Sequence, residues 1–239
     1  MERQNIKMGG GRWVSSFQSR VLDSNAILGY AFKADIKHYF ETVDHETLID
    51  IIQNKIKDQD VLWLIRKILE NHKIEIPGKG MPLGNLTSQF FANVYLHELD
   101  LFVKHKLKAK YYLRYVDDFV ILHRNKRVLE EWKFYIDTFL RQHLQIELHP
   151  QKSSIILLRK GLTLLGFRMF YYYKLLKKSN MRRALKRLEK LRIKYDGKEI
   201  TYEQVLCSLN GWFGYAKMGN TYNFRNKIIL LFNDLFSGQ

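Results

Sequence analysis

The sequence predicts an α+β fold, in which a mixed region of strands and helices is followed by an all-helical tail. Three observations carry the prediction. Apolar runs of strand length alternate with helix-period segments from residue 29 to about 178. Two such runs flank a tight acidic turn in "YYLRYVDDFVILH", residues 111–123, as the arms of a hairpin do. From Asn180 onward the pattern is amphipathic, basic and helical.

Taken in order, "MGGGRW" at 8–13 reads as a flexible lead-in, because three consecutive glycines weaken any regular element. Residues 29–36, "GYAFKADI", form a strand ending in Asp35. A helix follows over 44–56 with Asp44 at its N-cap, and a second over 58–72 is capped by Asp58. "PGKGMPLGN", 77–85, is a loop. A long helix runs from about Thr87 to Lys106, then the hairpin, then a helix over 126–143. Segments 154–158 and 163–170 are strands, and "YYYKLLKK" is a returning partner. In "NMRRALKRLEKLRIKY", Met181, Leu185, Leu188 and Leu191 share one face, while Arg182, Arg183, Lys186, Arg187, Lys190 and Lys194 crowd the other. Helices near 201–217 and 222–236 complete the chain, and a domain boundary falls near residue 178.

The 239 residues carry a net charge of +16, which favours a polyanion as partner, with nucleic acid ahead of an anionic membrane. One cysteine, Cys207, excludes an internal disulfide, and the eight histidines lack metal-ligand spacing. No apolar run reaches membrane-helix length, and the N-terminus lacks the apolar core of a signal peptide. The expectation is a soluble, cytoplasmic protein.

Asp117 and Asp118 sit side by side at the hairpin turn. At an effective dielectric near 20, two charges about 5 Å apart repel by roughly 3 kcal/mol. Solvent at a turn relieves this, and so does a divalent cation, which also gives the pair a task. Asp35 ends another strand. If that strand lies beside the hairpin, three carboxylates converge as in a two-metal nucleotidyl-transfer site.

Four segments, in order, carry a family resemblance. "YVDD" at 115–118 resembles the catalytic hairpin of reverse transcriptases. "FKADIKHYFETVDHETL", 32–48, resembles their first palm motif. "GMPLGNLTSQFFANVYLHELD", 80–100, resembles the loop and helix that seat the templating base. "LLGFRMF", 164–170, is similar to the segment that grips the primer end. The likeness runs from about residue 17 to 235. It implies a right-hand polymerase, with residues 1–28 as a residual fingers segment, 29–178 as the palm and 179–239 as the helical thumb. Group II intron and retron enzymes carry glutamine before the glycine and "SP" at the helix start. Here Leu83-Gly84 and Ser88-Gln89 stand instead, and this "LGNLTSQ" form resembles the reverse transcriptases of diversity-generating retroelements. The alternatives are a group II intron- or retron-type enzyme and a non-catalytic nucleic-acid-binding remnant.

The resemblance assigns roles residue by residue. Asp35, Asp117 and Asp118 are the catalytic acids. They hold two Mg2+ ions, for which Mn2+ can substitute, with the backbone carbonyl of Ile36 as an extra ligand. Phe40 is the steric gate against a ribose 2′-hydroxyl, or an ordinary core aromatic. Gly84 and Gln89 lie against the incoming nucleotide or its base pair, or are a turn glycine and a solvent-facing glutamine. Lys152 protonates the leaving pyrophosphate, or is a solvated lysine. Leu83, Gly166, Arg182, Arg183, Lys186, Arg187 and Lys190 face the nucleic acid, with the apolar stripe of their helix docking on the palm. Arg114 reads as decoration of a strand edge. The partners implied are template RNA, a primer or cDNA strand, dNTPs and a small basic accessory protein. Only 34 residues precede Asp35, so the fingers are expected to be short or missing.

Overall fold

The computed structural model of the protein describes residues 29–71, 76–82 and 84–236. The readings made for residues 1–28 and for Leu83 lie outside them. The chain divides into two compact units between Leu157 and Leu158.

The first unit holds β1 (Tyr30–Ala34), a single helical turn at Tyr39–Thr42, α1 (His45–Gln53), α2 (Gln59–Glu70) and α3 (Leu86–Leu101). It continues with β2 (Tyr111–Tyr115), β3 (Asp118–His123), α4 (Lys126–His143) and β4 (Ser154–Leu157). The four strands make one antiparallel sheet in the order β2-β3-β1-β4. β3 is central, which explains its unbroken run Phe119–Leu122: all four side chains are buried. Phe32 of β1 meets Phe119 edge to face at 5.9 Å. Each such ring contributes about 2–3 kcal/mol through burial.

Local signals set the helix starts. Asp44 accepts from the Thr47 N–H, Asp58 from the Asp60 and Val61 N–H groups, and Asn125 from the Arg127 N–H. Each cap satisfies donors that the first turn leaves unpaired, worth about 1 kcal/mol. α3 does not continue as α-helix to Lys106. It passes into a π-helical turn at Phe102–Lys106, where Phe102 stacks on Phe139 of α4 at 4.4 Å. The loop after α2 is bound down as it returns. Gly80 N–H donates to Val43 O at 2.8 Å, Met81 N–H to Phe40 O at 2.7 Å, and the Met81 side chain is buried.

The second unit comprises β5 (Leu162–Leu164), β6 (Phe167–Met169), β7 (Lys174–Leu176), α5 (Lys178–Asp196), α6 (Tyr202–Ala216) and α7 (Tyr222–Phe236). The single strand expected over 163–170 is a hairpin. Leu165 and Gly166 both take positive φ, 49° and 82°, which is the type I′ pattern of a two-residue turn. β7 pairs with β6 as the returning partner. Two residues of the α5 stripe enter the tail's own core, where Leu188 packs with Val205, Phe232 and Phe236 and Leu191 lies against them. This division by packing falls earlier than the composition change near residue 178, because Phe167 of the small sheet packs on Tyr215 of α6 at 4.9 Å. No described helix is long and apolar enough to cross a membrane.

Gly166 is held tightly. Its carbonyl accepts from Lys177 N–H at 3.0 Å, and a Cβ there would run into the Tyr215 hydroxyl and the Asn180 amide. Gly166→Ala adds that collision to a backbone conformation alanine disfavours. We expect a loss of about 2–4 kcal/mol, read as a lower urea midpoint. An unchanged midpoint would show that α6 yields freely.

Candidate active site

Sheet register assembles the site. The β1–β3 ladder ends with Ala34 opposite Phe119, so the next level along brings Asp35 beside Asp118. The β2–β3 ladder places Tyr115 opposite Asp118. On the other side, the β1–β4 ladder ends with Lys33 opposite Ser154; beyond it Asp35 and Ile36 meet His149 and Leu148, and Lys152 lies in the turn between that segment and β4. Tyr115, Asp118 and Asp35 therefore stand side by side at one end of the sheet, and Lys152 reaches them from the turn before β4. Asp117 lies in the adjoining β2–β3 turn.

The contacts follow this geometry. Lys152 Nζ donates to Asp35 Oδ2 at 3.0 Å. Lys33, two residues before Asp35, shares its face and lies diagonal to Asp118. Its Nζ stands 3.2 Å from Asp118 Oδ1. That buried oxygen accepts no hydrogen bond, so it has an ion-pair partner out of line for bonding. The Asp35 backbone is fastened as well: its carbonyl accepts from His149 N–H at 2.7 Å and from the buried Ser153 hydroxyl at 3.3 Å.

Charge and burial act on the acids together. Burial pushes Asp117 above the ordinary carboxylate range, and Asp35 and Asp118 add to this while Lys152 opposes it. The hydrogen bond and charge of Asp35 hold Lys152 above the usual lysine range, with Asp117 and Asp118 contributing. Lys152 is thus protonated at neutral pH.

The donor set suits a hard divalent cation: carboxylate oxygens crowded enough to repel, at the open end of a sheet. Among the described residues no three His, Cys, Asp or Glu side chains are gathered as a complete metal-binding group. Asp35 and Asp118 instead face lysines. The residues fit an ion held by one or two carboxylates, the remaining places being filled by water and phosphate oxygens, as is usual for magnesium.

The other expected residues are placed as follows. Ile36 is buried, in an isolated antiparallel bridge with Leu148. Phe40 is half-buried on the core, edge to face with Tyr39 at 5.5 Å. Tyr39 donates from its hydroxyl to Ala92 O at 2.6 Å. Gly84 sits in an exposed turn at φ 85°, and a Cβ added there would meet nothing within 4 Å, so backbone conformation rather than crowding calls for glycine. Gln89 is exposed on the first turns of α3, and its carbonyl accepts from Asn93. Arg182, Arg183, Lys186, Arg187 and Lys190 lie along α5, on its solvent side, in the second unit with Gly166.

Arg114 corrects the sequence reading. It is no edge decoration: its side chain is only 10% exposed and grips both oxygens of Asp100, at 2.7 and 2.6 Å. Burial alone would lower its pKa; the Asp100 carboxylate more than offsets this and raises it. Lys33 was also missed. Its signal was its place two residues before Asp35 on a strand, legible only once Asp118 is known to lie alongside. Asp100 had no local signal at all.

The raised pKa of Asp117 has a sign. The folded state holds the Asp117 proton more tightly than the unfolded chain, so the penalty is absent below the unfolded pKa and complete above the folded one. Metal-free Asp117→Asn is expected to melt above wild type at pH 7.5 by about 1–3 °C, as suits a half-exposed like-charge contact. The gap should close as the pH falls through the folded pKa, and millimolar Mg2+ should raise the melting temperature of wild type alone. Thermal melts across pH check this; coincident curves at pH 7.5 would sink it.

Comparison with known proteins bears on the same region. Residues 11–169 match the family described as reverse transcriptase (RNA-dependent DNA polymerase). The group II intron-encoded protein LtrA of Lactococcus lactis is 44% identical over 84 residues, covering 33% of this chain and 14% of LtrA. A 91 kDa protein in the cob intron of Schizosaccharomyces pombe is 41% identical over 86 residues, covering 33% of this chain and 10% of its own length. Among solved structures, telomerase of Candida albicans in complex with a fragment of telomeric RNA aligns with a TM-score of 0.55 at 10% identity, over 96% of this chain and 51% of that one. Apo telomerase of Candida tropicalis aligns with a TM-score of 0.55 at 16% identity, over 73% and 37%. These structures share the fold: antiparallel sheets and helices of a polymerase palm with a helical region. The chain spans a small part of the curated relatives and about half or less of the telomerases. The match across residues 11–169, over more than half of the sequence, places the chain in the reverse transcriptase family.

Proposed function

We propose that the chain carries out RNA-templated DNA synthesis, with residues 29–178 as palm and 179–239 as thumb. The observation that supports this most directly is Asp35 beside Asp118, with Asp117 in the adjoining turn and Lys152 bonded to Asp35. In this reading Asp35 and Asp117 hold the divalent cations, with the Ile36 carbonyl beside them. When bound, those ions would lower the pKa of the primer hydroxyl and offset the negative charge of the transferred phosphoryl group and the departing pyrophosphate. Asp118 stays paired with Lys33 and keeps the local charge balanced. Lys152, protonated and tethered by Asp35, is the residue placed to give its proton to the departing pyrophosphate. The half-buried Phe40 ring serves as the wall against a 2′-hydroxyl, and Gly84 and Gln89 border the base pair. Along α5 the residues Arg182, Arg183, Lys186, Arg187 and Lys190 offer phosphate contacts, which give affinity without reading sequence.

Within the family we propose error-prone cDNA synthesis in a diversity-generating retroelement, aided by a small basic accessory protein. The "LGNLTSQ" segment supports this: Leu83 and Gln89 stand where related enzymes carry polar and proline contacts to the base pair. A group II intron-type enzyme is the second reading, favoured by the 44% identity to LtrA over 84 residues. A nearby imperfect repeat differing at adenines would decide for the first.

Primer extension by the full chain on an RNA template with dNTPs and Mg2+ tests the activity. Asp35→Asn and Asp117→Asn should each lower the rate about a thousandfold, equivalent to about 4 kcal/mol of transition-state stabilisation. Template binding by wild type with no extension would identify a binding remnant instead. Leu83→Gln with Gln89→Pro should reduce misincorporation opposite adenine; an unchanged error rate removes these residues as the cause of low fidelity.

A further inference from the structure

We propose that Asp100 and Arg114 form a clamp that holds the Val116–Asp117 turn in the conformation presenting Asp117 to the site. The catalytic meaning of this clamp rests on the polymerase reading; its geometry does not.

The turn is the unusual element. β2 ends at Tyr115 and β3 begins at Asp118, paired with each other, so the loop is the two residues Val116 and Asp117. Val116 has φ 54°, and Asp117 is not among the positive-φ residues. Positive φ at the first central position alone is the type II′ pattern, where glycine is the favoured residue. A β-branched side chain is among the least suited to that region, because its Cβ crowds the neighbouring carbonyl. A two-residue loop made of valine and aspartate would not choose this conformation by itself, so the surroundings must impose it.

The guanidinium of Arg114 is what imposes it. Arg114 Nη1 donates to the carbonyl of Val116 at 2.9 Å, fixing the peptide that leads into Asp117. The same nitrogen donates to Asn93 Oδ1 at 3.2 Å. Nε and Nη2 donate to the two oxygens of Asp100 at 2.7 and 2.6 Å, a bidentate pair. Asp100 lies in the last turn of α3, and its Oδ1 also accepts from the Tyr112 hydroxyl at 2.6 Å. All three guanidinium nitrogens are engaged, and the plane of the group is set by a carboxylate on a long helix. The strain at Val116 is thereby referred to α3 rather than left to the loop. A lysine at 114 keeps the charge but has no planar fork with which to grip Asp100 and the Val116 carbonyl together. Arg114 and Asp100 act through Asp117, so they are positioning residues.

A bond that merely ties α3 to β2 would show the same contacts, and the two roles separate through Val116. Glycine takes positive φ without strain. Arg114→Lys should lower kcat for primer extension about a hundredfold, the scale of a displacement near 1 Å at a reacting group, with KM for dNTP changed less than about threefold. Adding Val116→Gly to Arg114→Lys should recover at least about tenfold of that loss, because the turn then needs no clamp. Should Arg114→Lys fail to fold, Asp100→Asn serves as the second variant, with a smaller loss and the same recovery. Deuterium uptake in the peptide 111–123 should rise in Arg114→Lys. Activity within twofold of wild type, or no recovery from Val116→Gly in a folded protein, overturns the clamp. If wild type binds template and makes no product, the polymerase reading fails, and unchanged deuterium uptake in Arg114→Lys then overturns the clamp separately.

Discussion

Antiparallel register sets Asp35 level with Asp118, and the mutual repulsion of those charges with Asp117 is the constraint around which the first unit is arranged. Two lysine side chains answer it, one from the sheet and one from the turn before β4. Lys33 reaches Asp118 from the face that β1 shares with Asp35, and Lys152 reaches Asp35 at 3.0 Å from the approach to β4. Both are long, flexible side chains at partly exposed positions. Such pairs are individually weak, worth under about 1 kcal/mol, so they can give way to a stronger charge. Asp117, ion-paired with no lysine among the described residues, keeps the unfavourable balance that burial and its neighbours impose.

The backbone supporting these acids is far less yielding than the charges around them. The Asp35 carbonyl is bonded to His149 and Ser153. Phe119 directly follows Asp118, Phe32 lies on the strand that leads to Asp35, and the two rings are wholly buried and in contact. Close packing of this kind resists shifts of a fraction of an ångström. The buried Arg114–Asp100 pair belongs with this rigid set: its two charges are largely out of water and each is costly to leave alone. Rigid carboxylates with soft counter-ions are what a site needs if a cation and a triphosphate are to enter without the protein rearranging.

The second unit distributes its charge differently. α5 places Arg182, Arg183, Lys186, Arg187 and Lys190 on the solvent side and gives Leu188 to a small core shared with α6 and α7. Leu188 and Leu191 of the apolar stripe pack inside the tail. A three-helix core needs that face to close, and the small sheet adds Phe167 against Tyr215.

Much of this was legible in order along the chain. The caps at Asp44 and Asp58, the helix over 126–143, the hairpin around Asp117 and the basic face of α5 all follow from local periodicity and capping chemistry, which depend on neighbours in sequence. The resemblance in four ordered segments pointed to the family through residues that lie within a few positions of one another. What tertiary structure alone decided is long-range. Lys33 counts as a counter-ion only because β1 inserts between β3 and β4. Arg114 is a buried partner of Asp100 only because α3 ends beside β2, and positive φ at Val116 is tolerated only in that company. Leu165-Gly166 turns rather than extends because β5 pairs back on β6, and Tyr215 and Asn180 leave no room there for a Cβ. Propensity acts over one or two turns of chain, whereas pairing across a sheet and burial of a charge depend on which distant segments arrive together.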